Sequence, residues 1–328
     1  MSTFVVLLNW NGWRDTIECL ESLFELSGTG FSIVVCDNES SDGSLAKLSS
    51  WADAALSADA VVCLTKQQVL DGARMAPSHK LALVANGGNL GFAGGNNVGV
   101  QLAMNDPDCK YVWLLNNDTT VAPDALSTLV ARAEADPTIG LCGSTLVYFH
   151  NQQMVQAFGG AIYNRFTGRS RHIGAFASLD AIPVDPVSTE QGMSYVVGAS
   201  MLVSRAYIEQ VGMMQEDYFL YYEEIDWCTR GNGRFRLGYA PYSRVFHKEG
   251  ASIGTTAAGG SALSVYYLFR NRVRFTARFY PGLLALVMGA CVWDIFKLLV
   301  KRRFAVAAAA VRGTVLLPRL PTTRKVTP

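Results

Sequence analysis

Short apolar runs at residues 3–9, 31–37, 81–85 and 111–115, each closing on a cluster of Asn, Asp, Ser or Gly, limit what this chain can fold into more than any other feature. Runs rich in Val, Ile and Leu, with no polar alternation, fit strands covered on both faces, as in a parallel sheet. Across residues 13–26, Ile17, Leu20, Leu23 and Phe24 recur at helical spacing, and similar patterns follow at 42–54 and 94–104. Strand and helix in repeated alternation predict a doubly wound α/β sheet with helices on both faces. With 328 residues, half of them apolar, the chain can bury one large domain of this kind and still carry an appendage.

In such sheets ligands collect beyond the carboxyl ends of the strands. The clusters Asn9-Trp10-Asn11-Gly12, Asp37-Asn38-Glu39-Ser40 and Asn116-Asn117-Asp118 are therefore expected to share one crevice. An insertion near 65–80 reads as peripheral. After residue 140 the alternation weakens into mixed strands and loops, with a polar stretch around 164–191, and this half would shape a second substrate's site. Residues 249–261 are small and rich in Gly, Ser and Ala, a composition suited to a lid.

Farther on, Arg270, Arg272, Arg274 and Arg278 sit among aromatics, and residues 283–300 are apolar but for Asp294 and Lys297. About 20 residues are needed to cross the hydrocarbon of a membrane, so this run is marginal as a span. With Lys301, Arg302 and Arg303 behind it, a helix lying in the membrane interface is expected, held by apolar burial and anionic head groups. The plainer alternative is an amphipathic helix closing the core.

Charge and cysteine content remove several classes of function. Twenty-eight Lys and Arg against 27 Asp and Glu give no excess of positive charge for a nucleic-acid partner. The seven cysteines lack CxxC spacing, which disfavours a disulfide framework or a structural zinc and suits a reducing cytoplasm. The apolar N-terminus lacks the basic start and cleavage site of a signal peptide and reads as a first strand.

Three places carry candidate chemistry. Asn116-Asn117-Asp118 follows an apolar strand, where a diphosphate-bound cation would sit. Mg²⁺ takes oxygen ligands and keeps waters and substrate phosphates, so Asp118 plus one further ligand suffices. The same residues also make a good turn. In the run from Asp217 to Trp227, Glu223, Glu224 and Asp226 follow several aromatics, and a carboxylate beside apolar rings has its pKa raised toward values useful for proton abstraction. A solvated helix start would show the same acids. His247, one of four histidines, suits Mn²⁺, although a lone histidine is more often structural. The glycines of Gly87-Gly88-Asn89-Leu90-Gly91-Phe92-Ala93-Gly94-Gly95-Asn96-Asn97 permit close backbone approach to a ligand at a helix start. They do not match GxGxxG, which speaks against a dinucleotide fold.

Together these stretches resemble family 2 glycosyltransferases, in particular the bacterial branch of rhamnosyltransferases and galactofuranosyltransferases. The resemblance rests on residues 6–12, 35–44, 89–97 and 114–118, the acidic cluster and His247. It implies a GT-A catalytic domain over residues 1–262, with a donor half to about 140 and an acceptor half beyond, and a membrane-associated helical region over 263–328. Asn9, Asn11, Asp37 and Asn38 would face the nucleotide, Gly91 and Asn96 would help enclose it, and Asn116 and Asn117 would line the sugar-nucleotide site. Asp118 would bind the Mg²⁺ or Mn²⁺ that bridges the donor's phosphates, with His247 as the additional ligand. Asn116 stands in place of the first acid of the family's DxD motif, which removes a charge. Glu224 falls at the catalytic base, with Glu223 just before it as the alternative and Asp226 nearby.

The implied reaction is an inverting transfer of a sugar, rhamnose from dTDP-rhamnose as the first expectation and a UDP-sugar as the second, to a lipid-linked glycan. Cell-surface polysaccharide such as O-antigen would be the product, made by an enzyme peripheral on the inner face of the plasma membrane. A nucleotidyltransferase would need a basic, glycine-rich loop near the N-terminus, which Asn9-Trp10-Asn11-Gly12 is not. A non-catalytic scaffold of this fold would be expected to lose the acids or metal residues that this chain retains.

Overall fold

In the computed structural model, residues 2–28, 30–248 and 260–316 are described. All but the last two residues of the expected lid at 249–261 lie outside them. The chain forms two compact units. The first runs to residue 248 but leaves out 164–169 and 220–222, and the second gathers those two segments with the residues described from 260 onward. The expected boundary near 262 did not foresee these two short segments.

In the first unit, β1 (Ser2–Asn9), α1 (Trp13–Phe24), β2 (Phe31–Asp37), α2 (Ser44–Ala55), β3 (Val61–Thr65), α3 (Lys66–Leu70), β4 (Leu81–Ala85), α4 (Gly91–Asn105) and β5 (Cys109–Asn116) alternate; the sequence predicts all of these but β3 and α3, which fall in and beside the stretch read as a peripheral insertion. The five strands are parallel and lie side by side in the order β3-β4-β2-β1-β5. Both faces of β1 are covered. Thr16 on α1 hydrogen-bonds to Asn9 at the strand's end, while Gly95 and Gly99 on α4 approach Leu8 and Val6 on the other face. This two-sided burial is the physical cause of the unbroken apolar run: Phe4, Val5, Val6 and Leu7 are all essentially inaccessible.

The remaining elements extend the sheet with mixed direction. They are β6 (Thr119–Val121), α5 (Ala125–Ala135), β7 (Ile139–Tyr148), β8 (Asn151–Phe158), β9 (Gly160–Asn164), β10 (Arg169–His172), α6 (Pro186–Gly192), β11 (Tyr195–Val196), β12 (Ser200–Ser204), α7 (Arg205–Val211), α8 (Glu223–Gly231) and β13 (Arg236–His247). Strand β12 inserts antiparallel between β5 and β7, β13 runs parallel to β7, and β6 closes the edge antiparallel to β13. Strand β8 pairs with β7, and β10, β9 and β11 make a separate three-stranded sheet.

The second unit is helical, with α9 (Ala262–Phe279), α10 (Leu284–Val300) and α11 (Phe304–Thr314). Ser261 caps α9 by accepting from the Ser264 N–H. Val265, Phe269, Val273, Val287, Cys291 and Ala310 form its core. Gly313 lets α11 touch α9, since a Cβ there would stand 2.4 Å from the Tyr266 carbonyl. Pro281–Val300 is long and apolar enough to cross a membrane by length and composition alone.

A Cβ at Gly99 would meet Val6 Cγ1 at 2.5 Å and Cys36 Sγ at 3.1 Å in the buried layer between α4 and the sheet. Gly99→Ala is therefore expected to cost about 1–3 kcal/mol in urea denaturation by overpacking. Gly88→Ala, whose nearest neighbour would be Leu90 Cδ2 at 3.8 Å, serves as the neutral control.

Candidate active site

The three strand-end clusters meet in the folded chain. Asn9 Nδ2 donates to Asp37 Oδ1 at 2.7 Å and to Ser40 Oγ at 3.1 Å. Its Oδ1 accepts from Thr16 and, at 3.4 Å, from Asn117 Nδ2, which also donates to Thr16. Asp37 accepts further from the N–H and hydroxyl of Ser40. Asn9, Asp37 and Asn117 thus form a buried hydrogen-bonded layer across the ends of β1, β2 and β5. A carboxylate offers about four lone-pair positions, so Asp37 retains room for a ligand hydroxyl after its three internal bonds. Asn11, in the left-handed region at φ 55°, and Asn116 stand at the rim of this layer and are more accessible.

The other expected nucleotide residues hold the frame. Asn38 is buried, donates to the Gly91 carbonyl at 3.0 Å and accepts from Asn86 at 2.8 Å, tying β2 to the start of α4. Asn96 donates to the Phe92 carbonyl within α4. Gly91, at φ +73°, is required by protein rather than by a ligand, because a Cβ there would lie 2.3 Å from the Phe219 carbonyl. That carbonyl accepts from the Phe92 N–H, and Asn97 Nδ2 reaches Met214 O and Glu216 Oε1, so the loop before the acidic cluster is fastened to α4.

Strand pairing creates the second part of the site. Antiparallel pairing of β6 with β13 sets His247 opposite Thr119, and His247 Nε2 lies 3.2 Å from Asp118 Oδ1 and 3.4 Å from Asn116 Nδ2. Burial pushes the Asp118 carboxyl up. The hydrogen bond and charge of His247, the residue's own backbone N–H and the charge of Lys248 outweigh it and hold the group below its ordinary range. Among the described residues no three or more His, Cys, Asp or Glu side chains gather in a metal-binding group. The donor pair still fits a hard divalent cation whose remaining positions are filled by phosphate oxygens and water.

Gln156, which sequence reasoning missed, lies 3.0 Å from His247 Nδ1 through Oε1 and is buried on β8. An oxygen there accepts the Nδ1–H and fixes the ring's orientation, with Nε2 facing Asp118. Lys248 Nζ is held by Asp15 and Glu18 of α1, each at 2.6 Å.

Helix α8 opens with the acids. Glu223 is 3% exposed, whereas Glu224 is only half-buried by area yet sufficiently desolvated that burial pushes its carboxyl up to about 7, against a backbone hydrogen bond that lowers it. Its charge is felt by Tyr195 on β11. Four residues beyond Tyr195, the Ala199 carbonyl accepts from the Asn116 N–H at 3.0 Å. Four peptide steps span at most about 14 Å, so the Asn116–Asp118 turn and Glu224 adjoin opposite ends of one short segment. Asp226 differs from its neighbours. It is fully buried and spends its oxygens on Arg230 Nε at 2.6 Å and the Tyr218 hydroxyl at 3.0 Å, which makes it a positioning residue.

The turn before α8 holds Phe219, Tyr221 and Tyr222 at φ 67°, 66° and 76°. Left-handed backbone costs an L-residue roughly 1–2 kcal/mol, so something must hold the turn. Asn271 Nδ2 on α9 donates to the carbonyls of Leu220 at 2.7 Å and Tyr221 at 3.0 Å, and the Tyr222 hydroxyl donates to Gly168 O. The sequence marks Asn271 only as a polar residue among arginines and aromatics, which is too little to find it.

A parallel nucleotide-binding half, extended by an inserted antiparallel strand and ending at an Asn-Asn-Asp turn, is the GT-A architecture of sugar-nucleotide transferases. Residues 4–174 match Glycosyl transferase family 2, and the chain belongs to that family. It is 22% identical over 240 residues, 70% of this chain and 73% of the other, to a low-salt glycan biosynthesis hexosyltransferase, Agl10, of Haloferax volcanii. It is 26% identical over 210 residues, 58% of this chain and 67% of the other, to the N-acetylglucosaminyl-diphospho-decaprenol L-rhamnosyltransferase of Mycobacterium tuberculosis. In fold it is similar to the mannosyltransferase PcManGT from Pyrobaculum calidifontis in complex with GDP-Man and Mn²⁺, at a TM-score of 0.54 and 16% identity, over 97% of this chain and 76% of that one.

Two substitutions test the supports. Gln156→Met, which removes the Nδ1 partner, is expected to weaken Mn²⁺ binding about 10- to 100-fold in a spin-resonance titration without donor present. Asn271→Ala is expected to lower kcat by up to about 10²-fold while leaving donor affinity by calorimetry near wild type, because loosening the turn shifts the acids of α8 and leaves Asn9, Asp37 and Asn117 in place.

Proposed function

We propose that this chain transfers a sugar, with inversion, from a nucleoside diphosphate to a hydroxyl of a lipid-linked glycan, using Glu224 as general base. The observation that carries the reading is that the turn bearing Asp118, paired with His247, and the desolvated Glu224 carboxyl adjoin the two ends of the segment 195–199. Rhamnose from a dTDP donor is the first choice of sugar, supported by the similarity to a protein named as an L-rhamnosyltransferase. The same name contains a diphospho-decaprenol, which supports a polyprenyl-diphosphate acceptor here.

In this reading Asn9, Asp37 and Asn117 form the floor under the nucleoside, and Asn11 and Asn116 contact the donor from the rim. Asp118 and His247 would hold a divalent cation, which neutralises charge on the departing diphosphate. Glu224 accepts the proton of the acceptor hydroxyl as its oxygen attacks the anomeric carbon from the face opposite the leaving group. General base catalysis of this kind contributes about 10²- to 10⁴-fold. A carboxyl raised to about 7 suits the task, since a stronger base takes the proton more readily while remaining ionised in part near neutrality. A single displacement leaves the product inverted.

Glu224→Gln is expected to abolish transfer and leave donor binding intact. Equal loss of both would show that the side chain shapes the donor site instead. The rate should rise with pH through about 7 as the carboxyl ionises. Stability should move the other way. A carboxyl raised in the folded chain contributes stability that is fully present below its unfolded pKa and is lost as pH climbs through the folded value. Glu224→Gln should therefore be at least as stable as wild type at about pH 8, measured by thermal unfolding. Turnover of dTDP-rhamnose against UDP-sugars, with and without Mn²⁺, decides the donor.

A further inference from the structure

Helix α10 divides its residues sharply between two environments. Val287 and Cys291 are its only buried residues, and they join the core of the second unit. On the other side Leu286, Val292, Trp293, Phe296 and Val300 are exposed at 52–65% and recur at helical spacing. Helix α11 repeats the pattern: Phe304 and Val311, with Val315 just past its end, are exposed at 43–64% while Ala307 and Ala310 are buried. Two consecutive helices therefore present apolar stripes to the outside, including the stacked rings of Trp293 and Phe296. Soluble chains rarely leave such a surface uncovered.

Basic side chains edge these stripes. Lys297 stands beside Trp293 with its ammonium 5.4 Å from the ring, and Lys301 and Arg302 follow in the link to α11, both exposed. Aromatic and aliphatic groups between lysines and arginines match the boundary of an anionic bilayer, where rings settle at head-group depth and basic side chains reach the phosphates. A second copy of the chain would bring the same positive edge against itself, which favours lipid as the occupant.

Asp294 decides how α10 meets that lipid. It lies on the helix flank between the exposed and buried sides, ion-paired with Arg169 and with Arg272 Nη1 at 3.0 Å. Arg272 is 4% exposed and also donates to the Thr167 carbonyl. Thr167 belongs to the connection between β9 and β10 and Arg169 opens β10, so this loop end is clamped to α10 at a point six residues from the helix's end. Were α10 to cross a bilayer, that point would lie about 9 Å along the helix from its end. The clamp would then carry an irregular loop and three ionised groups to the margin of the hydrocarbon, where unpaired backbone and charge are costly. α9, packed along α10, would bring Arg270, Arg274 and Arg278 with it.

We propose that α10 and α11 form a monotopic platform that lies in the interface of an anionic membrane and does not cross it, with the Arg169–Asp294–Arg272 cluster fixing α10 parallel to the surface. This deepens the lipid-linked acceptor reading and rests on it for its purpose, but its test does not. The purified full chain is added to preformed phosphatidylcholine vesicles with and without phosphatidylglycerol, and bound protein is measured by co-sedimentation before and after alkaline carbonate. Binding that requires phosphatidylglycerol, is released by carbonate and falls at least about tenfold in Trp293→Ser/Phe296→Ser supports the platform. Retention after carbonate shows a spanning helix and overturns it. So does absence of vesicle binding, whether the chain is monomeric or forms a dimer that the same double variant dissociates. Mn²⁺-dependent hydrolysis of sugar nucleotides, followed in the same samples, should be unchanged in the variant. If wild type lacks it while vesicle binding persists, the transferase reading fails and the platform stands.

Discussion

The antiparallel ladder between β6 and the end of β13 brings together groups that neither strand could hold alone, and the proposed cation site depends on it. Three residues pair, Val245 with Val121, Phe246 with Thr120 and His247 with Thr119, and the Lys248 N–H continues the contact to the Asp118 carbonyl. Backbone bonds of this kind fix register, and a slip of one residue would turn His247 to the other face of the sheet. With register fixed, an imidazole and a carboxylate separated by 129 positions in the chain come within 3.2 Å. Lys248, anchored to α1 by Asp15 and Glu18, prevents the strand end from fraying just where the pair must hold still.

A different constraint governs α8. As the proposed base, Glu224 would have to be desolvated enough to accept a proton and still be reached by an acceptor hydroxyl, demands that an ordinary helix start does not meet together. The chain meets them by entering α8 through a turn with three left-handed non-glycine residues, which presents Glu224 at the partly open edge while Glu223 stays inside. Strain of this sort persists only where the surroundings over-determine the backbone. Here the Phe92 N–H holds Phe219, Asn271 holds the next two carbonyls, and Asp226 braces Tyr218 from within the helix. The third acid of the cluster thus serves the geometry of the first two.

The parallel half of the fold was legible in the sequence because burial on both faces removes polar alternation, and the strand-end residues were legible because parallel connectivity sends every such end to one edge. Asn9, Asp37 and Asn117 are joined as that logic requires. The glycines of 87–97 were visible but easily given the wrong partner: Gly91 and Gly95 answer to Phe219 and Leu8, as Gly99 beyond them answers to Val6, because a helix packed this closely on a sheet leaves no room for a Cβ. Gln156 and Asn271 were not legible at all. Each acts through one amide on a partner more than 45 residues away, a relation set by tertiary packing that leaves no local pattern.

Asp294 shows how one residue can carry opposite meanings at the two levels. In the linear chain it looks like a flaw in an apolar run and argues weakly against a membrane span. In the folded chain it is the residue that makes the apolar run usable, since a helix with so many exposed hydrophobic groups and so few buried ones has little core of its own to hold it. Its partner Arg272 is nearly inaccessible, and removing one member of a buried pair leaves the other charge uncompensated, which is far more costly than the pair is stabilising. Such a cluster defines an orientation more than it adds stability. The exposed stripe is thereby fixed in direction within its unit, so that in the proposed platform the entropy of orienting the helix would already be spent before any lipid is met.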